Sequence, residues 1–320
     1  MNQIGDAMQK LYVLGHPVAH SKSPVMYNAV YRELGLDWDY GFADIESPED
    51  ARTFIEARDY LSINITTPHK PVAFQAASIV TSSAALAQGA NVLVNKDGAL
   101  IADNTDGLGC VSYLRRRGVV FERADVVVCG TGPTARAIMH ACALAGAFHV
   151  VLMGRDEVRT KAAVADYRQR LEQLAQGDGA VIAAIDPRYA QASLNDIVDS
   201  CQVLGCSYEQ GADLIAGAGV IIDATRLGMN PGDPAPFDTS LISAGQAVFD
   251  VVYAHGETAL IGAARKAGAA AFDGEGMLVA QAVATVHDIK CALNLAIDFG
   301  SIDLFKVMAE SAGFNCAQCV

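Results

Sequence analysis

Short apolar runs alternate along the chain with amphipathic stretches, the rhythm of strands separated by helices. Residues 11–14 form an apolar run halted by Gly15 and Pro17, and residues 23–34, with Pro24 in the first turn, predict a helix. Residues 61–65 predict a second strand and the Ala-rich stretch 71–87 a helix. Residues 91–94 predict a strand, followed by a hairpin turn at Asp97-Gly98 that leads into a strand at 99–102. A clearer unit comes next: an apolar strand at 125–129, a glycine turn at 130–135, an apolar helix at 136–145 and a buried strand at 148–153. Residues 160–217 predict helices and loops. Strands are predicted at 220–223 and 247–252, on either side of a Pro/Gly-rich loop at 228–236. After Asp273-Gly274, Leu278, Ala282, Val286, Ile289 and Leu293 recur at helical spacing, which gives a long helix one core face. The pattern predicts an α/β protein with a mostly parallel sheet.

Composition sharpens this. A chain of 320 residues is longer than a single core usually supports, so two domains are expected. With 52% hydrophobic and 18% charged residues the chain is not an extended disordered protein. A formal charge of -13 argues against a nucleic-acid surface, whereas a small anionic ligand needs only a few local cations. No apolar stretch is long enough for a bilayer span, and the N-terminus lacks a basic segment followed by an apolar signal core, so a cytoplasmic protein is expected. The 8 cysteines are scattered, several within apolar runs, as reduced core residues would be. Cys316 and Cys319 make a CxxC, but two ligands are half of what a structural zinc needs, and no metal site is expected.

Four places carry candidate chemistry. The glycine turn, Gly130-Thr131-Gly132-Pro133-Thr134-Ala135, lies between a buried strand and a helix, where backbone amides can approach a pyrophosphate at the positive helix end. The next strand ends in Gly154-Arg155-Asp156-Glu157-Val158-Arg159; the arginines suit a ribose 2′-phosphate and hence NADP, while Asp156 is the residue type that accepts a ribose hydroxyl, which leaves NAD open. Ser21 and Ser23 stand at alternate positions just before a helix, able to bind a carboxylate or to cap that helix. Lys70 follows a strand, and Asp106 follows a turn. Each is of the type that exchanges an alcohol proton during hydride transfer, and each is equally a common surface residue.

With these residues in view, the chain resembles the shikimate dehydrogenase family over nearly its whole length. The resemblance rests on GHPVAHSKSP from Gly15, NITTPHK from Asn64, GAN from Gly89, DNTDG from Asp103 and GTGPTAR from Gly130. It continues in ATRLGMNPGDPAPF from Ala224, DVVY from Asp250 and DGEGMLVAQA from Asp273. It implies a substrate-binding domain at 1–106, an NADP-binding Rossmann-like domain at 107–273, and C-terminal helices at 274–320 returning to the first domain, with substrate held in a cleft. The implied activity is reversible NADP-dependent hydride transfer between shikimate and 3-dehydroshikimate, a step of aromatic amino-acid biosynthesis, by a monomer or homodimer. Lys70 and Asp106 match the family's catalytic pair. Ser21, Ser23, Thr66, Asn91, Tyr253 and Gln281 match its substrate-binding positions. The turn residues Gly130, Thr131, Gly132, Pro133 and Thr134, together with Gly154, Arg155, Asp156, Arg159 and Gly274, are the implied cofactor contacts. Gly107 and Gly274 flank the inferred domain crossings and are expected hinge positions.

The sequence departs from the family pattern in three places. GTGPTA replaces the common GAGGA, so Pro133 removes a backbone donor near the phosphates. Gly154-Arg155-Asp156 replaces an NRT-like motif, and Asp223 and Arg226 stand where Asn and a small residue or proline are usual. An NAD-preferring quinate/shikimate dehydrogenase is the nearest alternative; a non-catalytic shikimate-sensing protein is a more distant one.

Overall fold

The computed structural model describes residues 8–177, 181–187 and 194–315. The described residues form two compact units: 8–105, 181–187 and 279–315 in the first, 106–177 and 194–278 in the second.

The first unit is built on a seven-stranded sheet. Its strands are β1 (Gln9–Gly15), β2 (Trp38–Asp44), β3 (Ser62–Ile65), β4 (Ile79–Thr81), β5 (Val92–Lys96), β6 (Ala99–Asp103) and β9 (Val181–Ile182), in the order β2-β1-β3-β5-β6-β4-β9. Pairing is parallel except that β5 runs antiparallel to both β3 and β6, so this sheet is mixed. The β5–β6 hairpin turns at Asp97-Gly98, both with positive φ (49° and 81°), as the Asp-Gly signal predicts. Around the sheet lie α1 (Ser23–Glu33), α2 (Pro48–Ala57), α3 (Lys70–Ala76) and α4 (Ser82–Ala87). One core cluster joins Leu14, Ile55, Ile63, Ile65, Leu93 and Leu100, all buried, each worth about 1.5–3 kcal/mol of apolar burial.

The second unit contains α5 (Asp106–Arg116), then β7 (Asp125–Cys129), α6 (Pro133–Leu144), β8 (His149–Gly154), α7 (Glu157–Ala175), α8 (Leu194–Ser200) and β10 (Gln202–Ser207). It continues with α9 (Ala212–Gly217), β11 (Val220–Asp223), β12 (Ala247–Asp250), α10 (Ala259–Lys266) and β13 (Ala270–Phe272). Its sheet is wholly parallel, in the order β10-β8-β7-β11-β12-β13. Numbered within the sheet this is 3-2-1-4-5-6, the doubly wound order whose ligand crevice lies where the winding reverses, between β7 and β11. Central strands carry continuous apolar runs because both faces are covered: β11 and β12 are buried throughout.

Several sequence expectations are corrected. Residues 71–87 are not one helix; α3 ends at Ala76, Ala77 is extended, and the β-branched Ile79-Val80-Thr81 joins β6 before Thr81 caps α4 by accepting the amide of Ala84. The helical region 160–217 contains β10, a sheet-edge strand in which only Val203 is buried and whose short run Val203-Leu204 is cut by Gly205. Edge strand β2 escapes the pattern for the same reason. The long helix α11 (Glu275–Ala292) has more than one core face: Gln281, Thr285 and Asp288 are buried along with Ala282, Val286 and Ile289. It is followed by α12 (Leu304–Ala312), which packs against α1. Cys316 and Cys319 lie outside the described residues.

Candidate active site

In the first unit the candidate residues gather where β1 and β3 end. Thr66 directly follows β3 and donates its amide to the carbonyl of Leu14 (2.8 Å), and the amide of His16 reaches the carbonyl of Thr67 (3.1 Å). Gly15 permits this approach: a Cβ there would stand 2.3 Å from Thr66 Cγ2 and 2.9 Å from the Thr67 carbonyl oxygen. The sequence NITTPHK therefore folds back against the loop that carries the serines. Ser23 is the first residue of α1 and buried; the cap position is Lys22, whose side chain makes no capping bond. Ser21 Oγ accepts the amide of Ser23 (3.2 Å), so one of the two serines does serve the helix end.

Lys70 opens α3, half-buried, and its carbonyl accepts the amide of Ala90 (3.0 Å), which ties it to the turn before Asn91. His69, to which the sequence assigned nothing, is fully buried and its Nε2 lies 2.6 Å from the carbonyl of Ile45. A carbonyl only accepts, so Nε2 carries the proton and the imidazole pins the turn that presents Lys70.

A buried polar network backs these residues. Asn91 Nδ2 donates to Thr105 Oγ1 (3.0 Å) and Gln281 Oε1 (3.2 Å), and Asn91 Oδ1 accepts the amide of Thr105 (2.8 Å). Asn64 Oδ1 accepts from the Tyr40 hydroxyl (2.9 Å), and its Nδ2 donates to Thr285 Oγ1 (3.2 Å). Thr285 in turn donates to the carbonyl of Gln281 (3.0 Å). In a low-dielectric interior such a network holds its amide dipoles in fixed directions. Tyr40, Thr105 and Thr285 were missed by sequence reasoning. The available signal was polar residues at 281, 285 and 288, four and three apart in an otherwise apolar helix.

The motif Asp103-Asn104-Thr105-Asp106 divides its labour. Asp103 Oδ1 accepts from Thr81 (2.5 Å), Ser83 (2.7 Å) and the amide of Asn104 (2.7 Å), and Asn104 Nδ2 donates to the carbonyl of Gly89 (2.8 Å). These bonds and those of Thr105 anchor the strand end in the first unit. Asp106 heads α5 in the second, 5% exposed, with its Oδ2 accepting from Thr134 Oγ1 (2.8 Å).

In the second unit the glycine turn leaves β7 at the winding reversal. Gly130 has φ 112°, a region open to glycine, and a Cβ there would meet the Ala224 carbonyl oxygen at 3.1 Å. Gly132 is the N-cap of α6, extended and without a side-chain cap; a Cβ added to it would project into open space, leaving room for a phosphate against the helix N-terminus. Pro133 is the first residue of α6, a position whose N–H has no intrahelical partner in any case. Thr131 lies beside Gly154, which closes β8. Beyond it Arg155, Asp156 and Arg159 are exposed. Asp156 caps α7, its carboxylate accepting the amide of Arg159 (3.0 Å). The uncapped glycine turn with exposed arginines after the second strand fits NADP chemically.

Tyr253 is half-buried after β12, and Gly274 packs so tightly that a Cβ would fall 2.1 Å from the Val251 carbonyl oxygen. Asp223 and Asp250 end neighbouring strands in register and are both 1% exposed. Asp250 accepts from the amide of Val252 (2.9 Å) and from Thr258 Oγ1 (2.7 Å), and burial holds its carboxyl above the ordinary range. Burial first, and the Asp250 charge second, push the Asp223 carboxyl up to about 7.

A family model described as the shikimate dehydrogenase substrate binding domain matches residues 13–93. A shikimate dehydrogenase (NADP(+)) of Symbiobacterium thermophilum is 33% identical over 276 residues, 85% of each chain. One from Methanothrix thermoacetophila is 34% identical over 278 residues, 86% of this chain and 89% of the other. The chain belongs to the shikimate dehydrogenase family. A crystal structure of the Thermus thermophilus shikimate 5-dehydrogenase with NADP(H) and shikimate has the same fold, with a TM-score of 0.74 at 24% identity over 96% of this chain and 99% of that one. The matched segment 13–93 contains the serine loop, Thr66, Lys70 and Asn91. Among the described residues no helix is long and apolar enough to cross a membrane.

Proposed function

We propose that this protein is an NADP-dependent shikimate dehydrogenase, an oxidoreductase that interconverts shikimate and 3-dehydroshikimate. The observation that carries this reading is the buried network holding Asn91 and Gln281 in the first unit, where the amide of Ala90, next to Asn91, bonds the Lys70 carbonyl. A ring with several hydroxyls and a carboxylate needs several fixed donors and acceptors, and a site of that kind rejects analogues that leave its groups unpaired. The relatives carrying the name shikimate dehydrogenase (NADP(+)), matched over 85% and 89% of their length, support it further.

Ser21 and Ser23 bind the substrate carboxylate, their hydroxyls and the start of α1 supplying neutral donors. Thr66, Asn91, Tyr253 and Gln281 hold ring hydroxyls. Lys70 takes the C3 hydroxyl proton during oxidation and returns a proton to the carbonyl oxygen during reduction. Asp106 accepts from a neighbouring ring hydroxyl and so fixes the ring for transfer. NADP, when bound, supplies the acceptor or donor of the hydride that C3 loses or gains. Arg155 and Arg159 recognise its 2′-phosphate, and the capping role of Asp156 leaves that carboxylate turned to its own helix. We assign the protein to the cytoplasm, in keeping with the free thiols of Cys110, Cys129, Cys142, Cys201, Cys206 and Cys291.

Absorbance of reduced nicotinamide tests this, with shikimate or quinate offered to the purified protein in turn with NADP or NAD. Rapid reduction of NADP by shikimate is the expected result. Reduction of NAD by quinate as the dominant activity would move the protein to quinate/shikimate dehydrogenase, and binding without reduction in all four mixtures would overturn the enzymatic reading.

A further inference from the structure

The hydroxyl of Thr134 is 2.8 Å from Asp106 Oδ2. This bond joins the glycine turn to the carboxylate at the head of α5, two features with separate tasks in the proposed reaction. The threonine hydroxyl donates this bond and the carboxylate oxygen accepts it. From the geometry we infer that Thr134 is a positioning residue for the reaction, setting the orientation of the Asp106 carboxylate from within the cofactor-binding turn.

Three restraints aim that hydroxyl. Pro133 fixes φ immediately before it, at the first residue of α6. Thr134 is β-branched, so its χ1 has few choices in a helix. The two helices also meet in backbone contact: a Cβ on Gly107 would lie 2.1 Å from the Ala137 carbonyl oxygen and 2.8 Å from Ala141 Cβ. Gly107 therefore sets how near the head of α5 stands to the first turns of α6, and that spacing brings Thr134 within hydrogen-bond reach of Asp106. Pro133 offers no amide at this helix start, and Thr134 beside it directs a hydroxyl at the carboxylate.

The inference rests on the proposed role of Asp106, and the experiment separates the two. Steady-state kinetics with shikimate and NADP are measured for the wild type, Thr134→Val and Thr134→Ser, with thermal melts confirming that each is folded. Valine keeps the shape and the branching but removes the proton. The expected result is a kcat about tenfold lower for Thr134→Val with KM for NADP changed less than about threefold, and recovery of most of that loss in Thr134→Ser. A kcat for Thr134→Val within about twofold of wild type overturns the inference while leaving the dehydrogenase reading intact. A loss confined to KM for NADP overturns it too, making Thr134 a phosphate contact alone. Equal losses in Val and Ser variants would reduce the residue to a packing role. A wild type that does not oxidise shikimate would instead sink the functional reading on which the inference depends.

Discussion

Replacing Asp223 with asparagine should stabilise the protein, and by an amount that grows with pH. Asp223 ends β11 beside Asp250 of β12, both almost without solvent. Asp250 is held by the amide of Val252 and the hydroxyl of Thr258, and Asp223 by the amide (2.8 Å) and the hydroxyl of Thr225. Burial first and the Asp250 charge second favour the protonated form of Asp223, whose pKa rises from 3.8 to about 7. Between those two values the folded state binds a proton that the unfolded state has released, so stability falls as pH rises through this window. At about 1.4 kcal/mol per pKa unit, holding Asp223 ionised above pH 7 costs the native state about 4 kcal/mol. Asparagine is neutral at every pH and its Oδ1 can keep the bond from Thr225. Urea unfolding of wild type and Asp223→Asn should give a stability difference that is smallest near pH 4 and increases by a few kcal/mol in favour of the variant by pH 8. The constant offset between asparagine and a protonated aspartate cancels in this comparison. A difference that is flat with pH, or that shrinks as pH rises, would refute the reasoning about the buried pair.

Lys70→Ala should lower kcat by about a hundredfold or more with little change in KM for shikimate, since proton exchange is needed at the transition state; stopped-flow and steady-state assays would show it, and a loss confined to KM would reassign Lys70 to binding. Arg155→Ala should raise KM for NADP about tenfold while leaving any NAD activity nearly unchanged, a comparison made in one assay with the two cofactors. Gly107→Ala should cost about 1–3 kcal/mol in urea unfolding, because the new Cβ meets a backbone carbonyl that cannot step aside. The same variant should lower kcat by moving Asp106 away from Thr134.

The second unit was the more legible from sequence. Strands β7, β11 and β12 are covered on both faces, so their apolar runs stand out, and the glycine turn between β7 and α6 marks itself by composition. The edge strands β2 and β10 gave no such signal, because a strand with one edge and part of a face in water need not be continuously apolar. Nothing in the local pattern marks residues 181–182 as strand partners of β4, since that pairing joins residues about a hundred positions apart.

For the candidate site, the chain's own order of residues determined which chemistry was available: two serines before Pro24, Lys70 after a polar strand end, Asp106 after a turn, arginines after Gly154. Motif spacing was enough to place each of them at an element end, because caps, turns and strand ends are local properties of a few residues. Only the folded structure decided what holds them. The Asn91–Gln281 and Asn64–Thr285 bonds link residues 190 and 221 positions apart, His69 is fixed by a carbonyl of another loop, and Asp156 turns its carboxylate to its own helix. Hydrogen-bond partners of buried groups are set by which elements pack together, and a linear pattern records that packing only as unexplained polar residues in apolar surroundings.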